Sequence, residues 1–281
     1  MKFQTLCLTY FLCWIFTLQS QTSLNLMSYN IRYDITTSNA SPWTKRHTAI
    51  SSQIKRFDID IVGMQEVLLH QRQQLLTDLP AFASVGVGRD DGINAGEFSP
   101  IFYKVERFQL LVSSTFWLSP TPEIPSKGWD AALNRICTYA QFLDIQSKDT
   151  FWVFNTHFDH VGETARMKSA ESILQKMKEV TKGTNQAVIF CGDLNLNDDH
   201  PTITFVQSRI KDALLDAKQV KTKMNRTFNN FDLTTPASKR IDYIFTNNNV
   251  SVQSFETIIE PFGVSYPSDH FPIVVSMKIK K

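Results

Sequence analysis

The chain is a succession of short apolar runs of strand length, and many of them end in a small polar cluster. Leu24-Asn25-Leu26-Met27-Ser28-Tyr29-Asn30 is such a run, as are residues 59–65, 151–156 and 187–191. Runs of this length, rich in β-branched and aromatic side chains, read as buried strands. Residues 82–87, 100–104, 108–118, 135–145, 241–245, 250–259 and 272–279 continue the series. Fewer segments have helical spacing. Ser41-Pro42 offers a cap and a first-turn proline for a helix to about Phe57, residues 68–79 stop at Pro80, and a short helix follows Pro201. Residues 163–182 form the best helix, with Ala165, Ser169, Ile173, Lys176 and Val180 marking its turns and Gly183 its end. Strands outnumber helices about two to one, so one parallel sheet fits poorly and two packed mixed sheets flanked by helices fit better. The 21 Phe among 281 residues suit sheet cores, and with no solenoid repeat and no Gly/Ser-rich linker one domain is the economical reading. Residues 119–134, with Pro120, Pro122, Pro125 and Gly128, read as a long loop, functional or mobile.

Residues 1–23 stand apart from this pattern. Met1-Lys2 precedes an uncharged apolar run, 3–18, then a polar tract to Ser23, and no further charge occurs before Arg32. That is the form of a secretory signal peptide, too short for an ordinary membrane span. It implies a mature domain at 24–281, secreted or periplasmic and without a transmembrane anchor. Removal takes Cys7 and Cys13 and leaves Cys137 and Cys191 in strand-like runs, where buried thiols are expected. Lys plus Arg is 29 against Asp plus Glu 27, so no basic field advertises nucleic acid. A monomer is expected.

Chemistry concentrates at the strand ends. Asn30 closes the first run, Glu66 follows 59–65, and His157 follows Asn155-Thr156. Gly192-Asp193-Leu194-Asn195 follows 187–191, and alternation puts Asp193 and Asn195 on one side of an extended segment. Asp242 lies among apolar neighbours, where a carboxylate needs a partner, and Ser268-Asp269-His270 precedes the last run. Each has a plain structural alternative: a turn-forming Asn, a solvated Glu, a satisfied His. Together, their hard oxygen donors suit Mg²⁺, with Mn²⁺ as a substitute, and the scarcity of Cys and clustered His argues against structural zinc.

In this order and strand context the clusters resemble the endonuclease/exonuclease/phosphatase superfamily of metal-dependent phosphoesterases, over about residues 24–279. The resemblance implies a four-layer α/β sandwich with the site where the two sheets open at one edge. It places Asn30 and Glu66 at the divalent metal with Asp269 near it, His157 and His270 on the scissile phosphate, Asp193 and Asn195 beside the nucleophile, and Asp242 behind a histidine. Similarity to the pancreatic-type deoxyribonuclease branch adds Glu97, as the acid orienting a histidine, and Arg135, opening a central strand beside the site. Asp242 with His270, and Glu97 with His157, are expected to favour protonated imidazoles that donate to phosphate. The competing account makes the Asp242–His270 pair the base that activates water.

The expected function is metal-assisted attack of water on a phosphoester, small or headgroup-like, with a nuclease on the same scaffold as the alternative and a catalytically silent binding module as a third. In the deoxyribonuclease branch the segment before Glu97 carries bases and a ring for the minor groove. Here it is Arg89-Asp90-Asp91-Gly92-Ile93-Asn94-Ala95-Gly96, with one base, two acids and no ring. Trp117, Trp129 and Phe158 are the rings expected to line a pocket, unless they are core.

Overall fold

The computed structural model describes residues 21–34 and 42–280. In chain order the elements are β1 (Ser23–Asn30), α1 (Trp43–Arg56), β2 (Ile61–Gln65), α2 (Leu69–Asp78), β3 (Phe82–Val85), β4 (Ile101–Lys104), β5 (Phe108–Trp117), β6 (Ile136–Asp144) and β7 (Thr150–His157). They continue with α3 (Glu163–Val180), β8 (Ala187–Asp193), α4 (Pro201–Gln207), β9 (Lys211–Asp212), α5 (Ala213–Asp216), β10 (Gln219–Val220), β11 (Asp242–Thr246), β12 (Val250–Thr257) and β13 (Ile273–Ile279). The strands form two mixed sheets, ordered β10-β12-β13-β1-β2-β4-β3 and β5-β6-β7-β8-β11-β9.

The layers follow from strand parity. Leu24 and Leu26 of β1, Phe151 and Val153 of β7, Ala187, Ile189 and Cys191 of β8, and Ile273, Val275 and Met277 of β13 meet in one core between the sheets. Their odd-and-even neighbours face outward. Met27, Tyr29, Val62 and Met64 pack under Ile50, Ile54 of α1 and Leu75 of α2; Trp152, Phe154, Val188 and Phe190 pack under Ala170 and Ile173 of α3 and Ile203 of α4. The result is the expected helix–sheet–sheet–helix sandwich. Strands of the middle layers are apolar on both faces, which is why they read as continuous apolar runs. Burying one such side chain contributes about 1.5–3 kcal/mol, enough in sum to carry a polar mouth at one end.

Three local features differ from the sequence reading. The helix start expected at Ser41-Pro42 has Pro42 in the cap position and α1 beginning at Trp43; Ser41 lies outside the described residues. The short pieces β9, α5 and β10 have no signal of their own and are set by their neighbours. Residues 1–23, expected to be a signal, lie almost wholly outside the described residues, and the fold engages the last three of them. Ser23 pairs with Lys278, the Gln21 amide donates to the Ile279 carbonyl, and the Thr22 N–H donates to Asp149. A domain boundary at 23/24 would therefore cut into β1.

The proline-rich stretch 119–134 is pinned rather than free. Asp159, just past β7, accepts from the N–H groups of Ala132 and Leu133 in that loop, from those of Val161 and Gly162 ahead of α3, and from Arg135 Nε. Asp130 reaches from the loop to cap α3, accepting from Thr164 and Ala165 N–H at 3.1 and 2.7 Å. Although burial opposes charge on Asp159, the Gly162, Ala132 and Val161 N–H groups and Arg135 hold its carboxyl well below the usual carboxylate range. A depressed folded-state value stabilises fully above the unfolded pKa of ~3.9, and the contribution is lost progressively as pH falls from there through the folded value. Asp159→Ala leaves four N–H groups and Arg135 Nε without an acceptor, an expected cost of about 3–5 kcal/mol. Thermal melts should show a loss of about 10 °C at neutral pH, shrinking below pH 4; a Tm within 2 °C of wild type would show that the loop is held some other way.

Candidate active site

The polar ends of the strands converge by the same parity that builds the core. Asn30 is in phase with Leu24 and Leu26, His157 with Phe151 and Val153, Asp193 with Ala187 and Ile189, and Asp242 with Ile244, so all four project between the sheets at one edge. Register brings them level: His157 pairs with Asp193 across β7 and β8, and Asp242 with Asp193 across β8 and β11. Gly192 makes that alignment feasible. It has φ 154°, and a Cβ there would lie 2.2 Å from the Thr156 carbonyl oxygen.

Asn30 links the two halves of the site. Its amide donates to Asp193 Oδ2 at 2.9 Å and to Glu66 Oε1 at 3.1 Å, and its Oδ1 accepts the Arg32 N–H at 3.0 Å. Parity alone would turn Glu66 outward; φ 59° turns the chain there and brings its carboxylate to the mouth. Asp269 arrives on the loop before β13, anchored by the Ser268 hydroxyl bonding to the Asn30 carbonyl at 2.7 Å. The Arg32 guanidinium lies between the two acids, 3.4 Å from Glu66 and 3.6 Å from Asp269. Those distances are long for charge-assisted hydrogen bonds. Two buried carboxylates so loosely neutralised, with the Asn30 amide beside them, form a hard-oxygen donor set that fits a divalent cation such as Mg²⁺.

On the other side, His270 Nδ1 is 2.9 Å from Asp242 Oδ2, and its Nε2 is 3.8 Å from Asp193 Oδ2. Asp193, Asp242 and His270 also have donor atoms within 4.8 Å of one another, as a metal site would. Because Asp242 is committed to the ring, we read the trio as a carboxylate–imidazole pair facing Asp193. Burial would lower the His270 pKa, but the Asp242 and Asp193 carboxylates raise it. Burial and the Asp242 charge raise that of Asp193.

His157 departs from expectation. Its Nε2 is 3.5 Å from Asp193 Oδ2 and 3.0 Å from Asn195 Nδ2. The same Asn195 amide nitrogen donates to the Phe158 carbonyl at 3.0 Å, which fixes it as the donor and leaves the ring proton on Nδ1. Glu97, expected to pair with Nδ1, is 3.9 Å away and instead forms a two-armed pair with Arg89 at 2.9 and 2.8 Å. Burial, Arg135 and Arg89 push the His157 pKa well below its ordinary value. The surroundings thus push His157 toward the neutral form and His270 toward the protonated one, in place of two rings both favoured as protonated. Burial also raises the Glu97 pKa, against Arg89.

Asn195 contributes its backbone too: its N–H donates to Asp193 Oδ1 at 2.9 Å. Arg135 is buried beside His157, with Nε 3.3 Å from Asp159 and Nη2 3.1 Å from His160 Nδ1. All these groups except Asn30 and Asp242, which sit beneath, line one open cavity of about 950 Å³. The aromatic expectation fails for all three rings. Phe158 is wholly buried in the α3-side core, and Trp117 is buried with its indole N–H on the Arg89 carbonyl at 2.7 Å. Trp129 is 37% exposed but does not line the cavity, whose rings are Tyr33 and Phe228, the latter edge-on to His270.

Sequence reasoning passed over Arg32, Arg89, His160 and the buried pair Gln65–Asn155. Gln65 Nε2 donates to Asn155 Oδ1 at 2.7 Å across the sheets, and Asn155 donates onward to the Met64 and Pro100 carbonyls. A usable signal existed: Asn155 and Gln65 lie in phase with inward-facing residues of β7 and β2. For Arg89 and His160, in loops, none did.

Known proteins share this fold. A structure from Bacteroides thetaiotaomicron, described as an endonuclease/exonuclease/phosphatase family protein, is 36% identical and superposes with a TM-score of 0.90, covering 93% of this chain and 99% of that one. A mannosyl-6-phosphatase from the same organism is 36% identical, TM-score 0.88, covering 91% and 99%. An uncharacterised protein, L388, of Acanthamoeba polyphaga mimivirus is 28% identical over 253 residues, 83% of this chain and 91% of the viral one. The sequence pattern of the family itself matches residues 27–270, and the chain belongs to the endonuclease/exonuclease/phosphatase family.

Proposed function

We propose that the protein is a divalent-cation-dependent phosphoester hydrolase acting on a small phosphorylated substrate. The observation that carries the reading is the convergence of Asn30, Glu66, His157, Asp193, Asn195, Asp242, Asp269 and His270 at the open edge of the sandwich. Glu66, Asn30 and Asp269 would hold a divalent cation, Mg²⁺ or Mn²⁺, which would supply positive charge to offset that developing on the phosphoryl group. Asp193, held by Asn30 and the Asn195 N–H, is placed to orient the attacking water and take its proton. His270, backed by Asp242, donates a hydrogen bond to the phosphate, and Arg135 adds charge beside it. Neutral His157 orients Asn195 rather than carrying charge. We read the start of the chain as a secretory signal, and the contacts of Gln21, Thr22 and Ser23 favour a shorter one than the expected 1–23, cleaved upstream of Gln21.

A small substrate is favoured over duplex DNA. Arg89, the one base of the segment 89–96, is folded onto Glu97, and Asp91 closes that loop on itself by accepting from the Ile93, Asn94 and Ala95 N–H groups. No free cation there addresses a duplex backbone. The 36%-identical relative described as a phosphatase supports the same reading.

With a chromogenic phosphoester and Mg²⁺, Glu66→Gln should stay folded by circular dichroism and lose about 10²-fold or more in kcat/KM; near-normal turnover at saturating Mg²⁺ would remove Glu66 from the metal. Asp193→Asn and His270→Ala should each cost ~10²-fold, and the double variant less than the product of the two. Fully multiplicative losses would mean that they act in separate steps. On duplex DNA, kcat/KM should lie well below that for the best small phosphoester, with a shallow salt dependence. Efficient plasmid nicking that collapses between low and physiological salt would point to a nuclease instead.

A further inference from the structure

The cavity extends beyond the phosphate-binding centre along the continuations of the two strands that carry His157 and Asp193. β7 and β8 are parallel neighbours, so the segments leaving them run side by side into the starts of α3 and α4. There they are tied together: His200 Nε2 is 3.0 Å from Glu163 Oε2. His200 Nδ1 accepts the Thr202 N–H at 3.1 Å, so its proton sits on Nε2 and points at Glu163. The other Glu163 oxygen is bonded by Arg166, which is itself held by the Asp159 carbonyl at 3.2 Å. Glu163 is thus fixed in orientation while its side chain stays 67% exposed at the cavity wall, with lone pairs to spare. Three residues earlier, His160 Nδ1 accepts from Arg135 Nη2 at 3.1 Å. A guanidinium can only donate, so the His160 proton lies on Nε2, in an exposed ring lining the same cavity.

We propose that His160 and Glu163 form a leaving-group subsite that reads neighbouring hydroxyls, so that the preferred substrate is a phosphomonoester of a sugar-type polyol. This rests on the hydrolase reading above. An N–H donor and a carboxylate acceptor, each held by its own partner and three residues apart on the wall of one cavity, match a diol, whose hydroxyls donate and accept in turn. A nucleobase would need a ring to stack on, and an alkyl chain an apolar wall. The cavity's two rings, Tyr33 and Phe228, belong to other segments, and the aliphatic side chains in its wall are Leu133, Leu196 and Ile241, against a majority of polar groups. A subsite of this kind loses affinity sharply when the ligand lacks the hydroxyls, because its polar groups are left unpaired.

The test compares Mg²⁺-supported phosphate release from glucose 6-phosphate and mannose 6-phosphate with that from ethyl phosphate, an alkyl ester without hydroxyls. Wild type should favour at least one hexose ester by about 10²-fold or more in kcat/KM. His160→Ala, at an exposed position, and Glu163→Gln, nearly isosteric, should each reduce that preference by about tenfold or more, chiefly through KM. A wild type without preference, or variants that keep it within about twofold, would overturn the subsite while leaving the hydrolase reading intact. A wild type that releases phosphate from none of the esters would overturn the hydrolase reading, and this one with it.

Discussion

The structure depends on the two-residue alternation of the β-strand, applied without interruption from core to mouth. Strands β1, β7, β8 and β11 fill the space between the sheets with every second residue, and continuing the count past the apolar stretch brings Asn30, His157, Asp193 and Asp242 to the same face. A one-residue slip in any of these strands would both expose its core residues and remove its polar group from the mouth. Folding and site assembly are therefore the same selection, and the hydrophobic term that fixes register positions the polar atoms at no separate conformational cost.

That coupling explains what the sequence disclosed. The four-layer sandwich and nearly all its strands were legible, because buried strands announce themselves as apolar runs and the polar clusters at their ends mark where burial stops. The in-phase residues Asn30, His157, Asp193 and Asp242 came with them. Groups whose position depends on a turn or a loop were less accessible. Glu66 is redirected by a positive φ, and Glu97 turned out to be paired with Arg89 rather than His157 because Arg89 folds back from a loop with no periodic signal. Asp159, which pins the proline-rich loop through five donors, lies in a stretch that patterning leaves blank.

The two histidines show how the environment of a group outweighs its identity. Both are buried, and burial lowers both pKa values. His270 faces Asp242 and Asp193, and their charges overcome the loss of solvation; His157 faces Arg135 and Arg89, which add to it. Glu97 does not rescue His157, since its charge is spent on Arg89 at hydrogen-bond distance while His157 stands 3.9 Å away. Opposed shifts of this kind divide the roles of chemically identical side chains.

Backbone strain gathers in part at the same boundary, which holds four of the eight non-glycine residues with positive φ among the described residues. Arg32, Glu66, Asn195 and Asn230 all have φ between 51° and 59°, and all line the cavity. A non-glycine residue in that region costs of order 1 kcal/mol, and such residues persist only where the surroundings over-determine them. Here the surroundings do so through short polar contacts: the Arg32 N–H on Asn30, the Tyr33 N–H on Glu66, the Asn195 N–H on Asp193 and the Asn230 N–H on the Asp269 carbonyl. Each strained residue stands at or next to a group that turns the chain from the strand direction into the mouth. Strand alternation alone can deliver one polar side chain per strand to the edge. Bringing Glu66 and Asn195 in around them requires the chain to leave the strand within one or two residues, and the left-handed conformations are how this sequence does it.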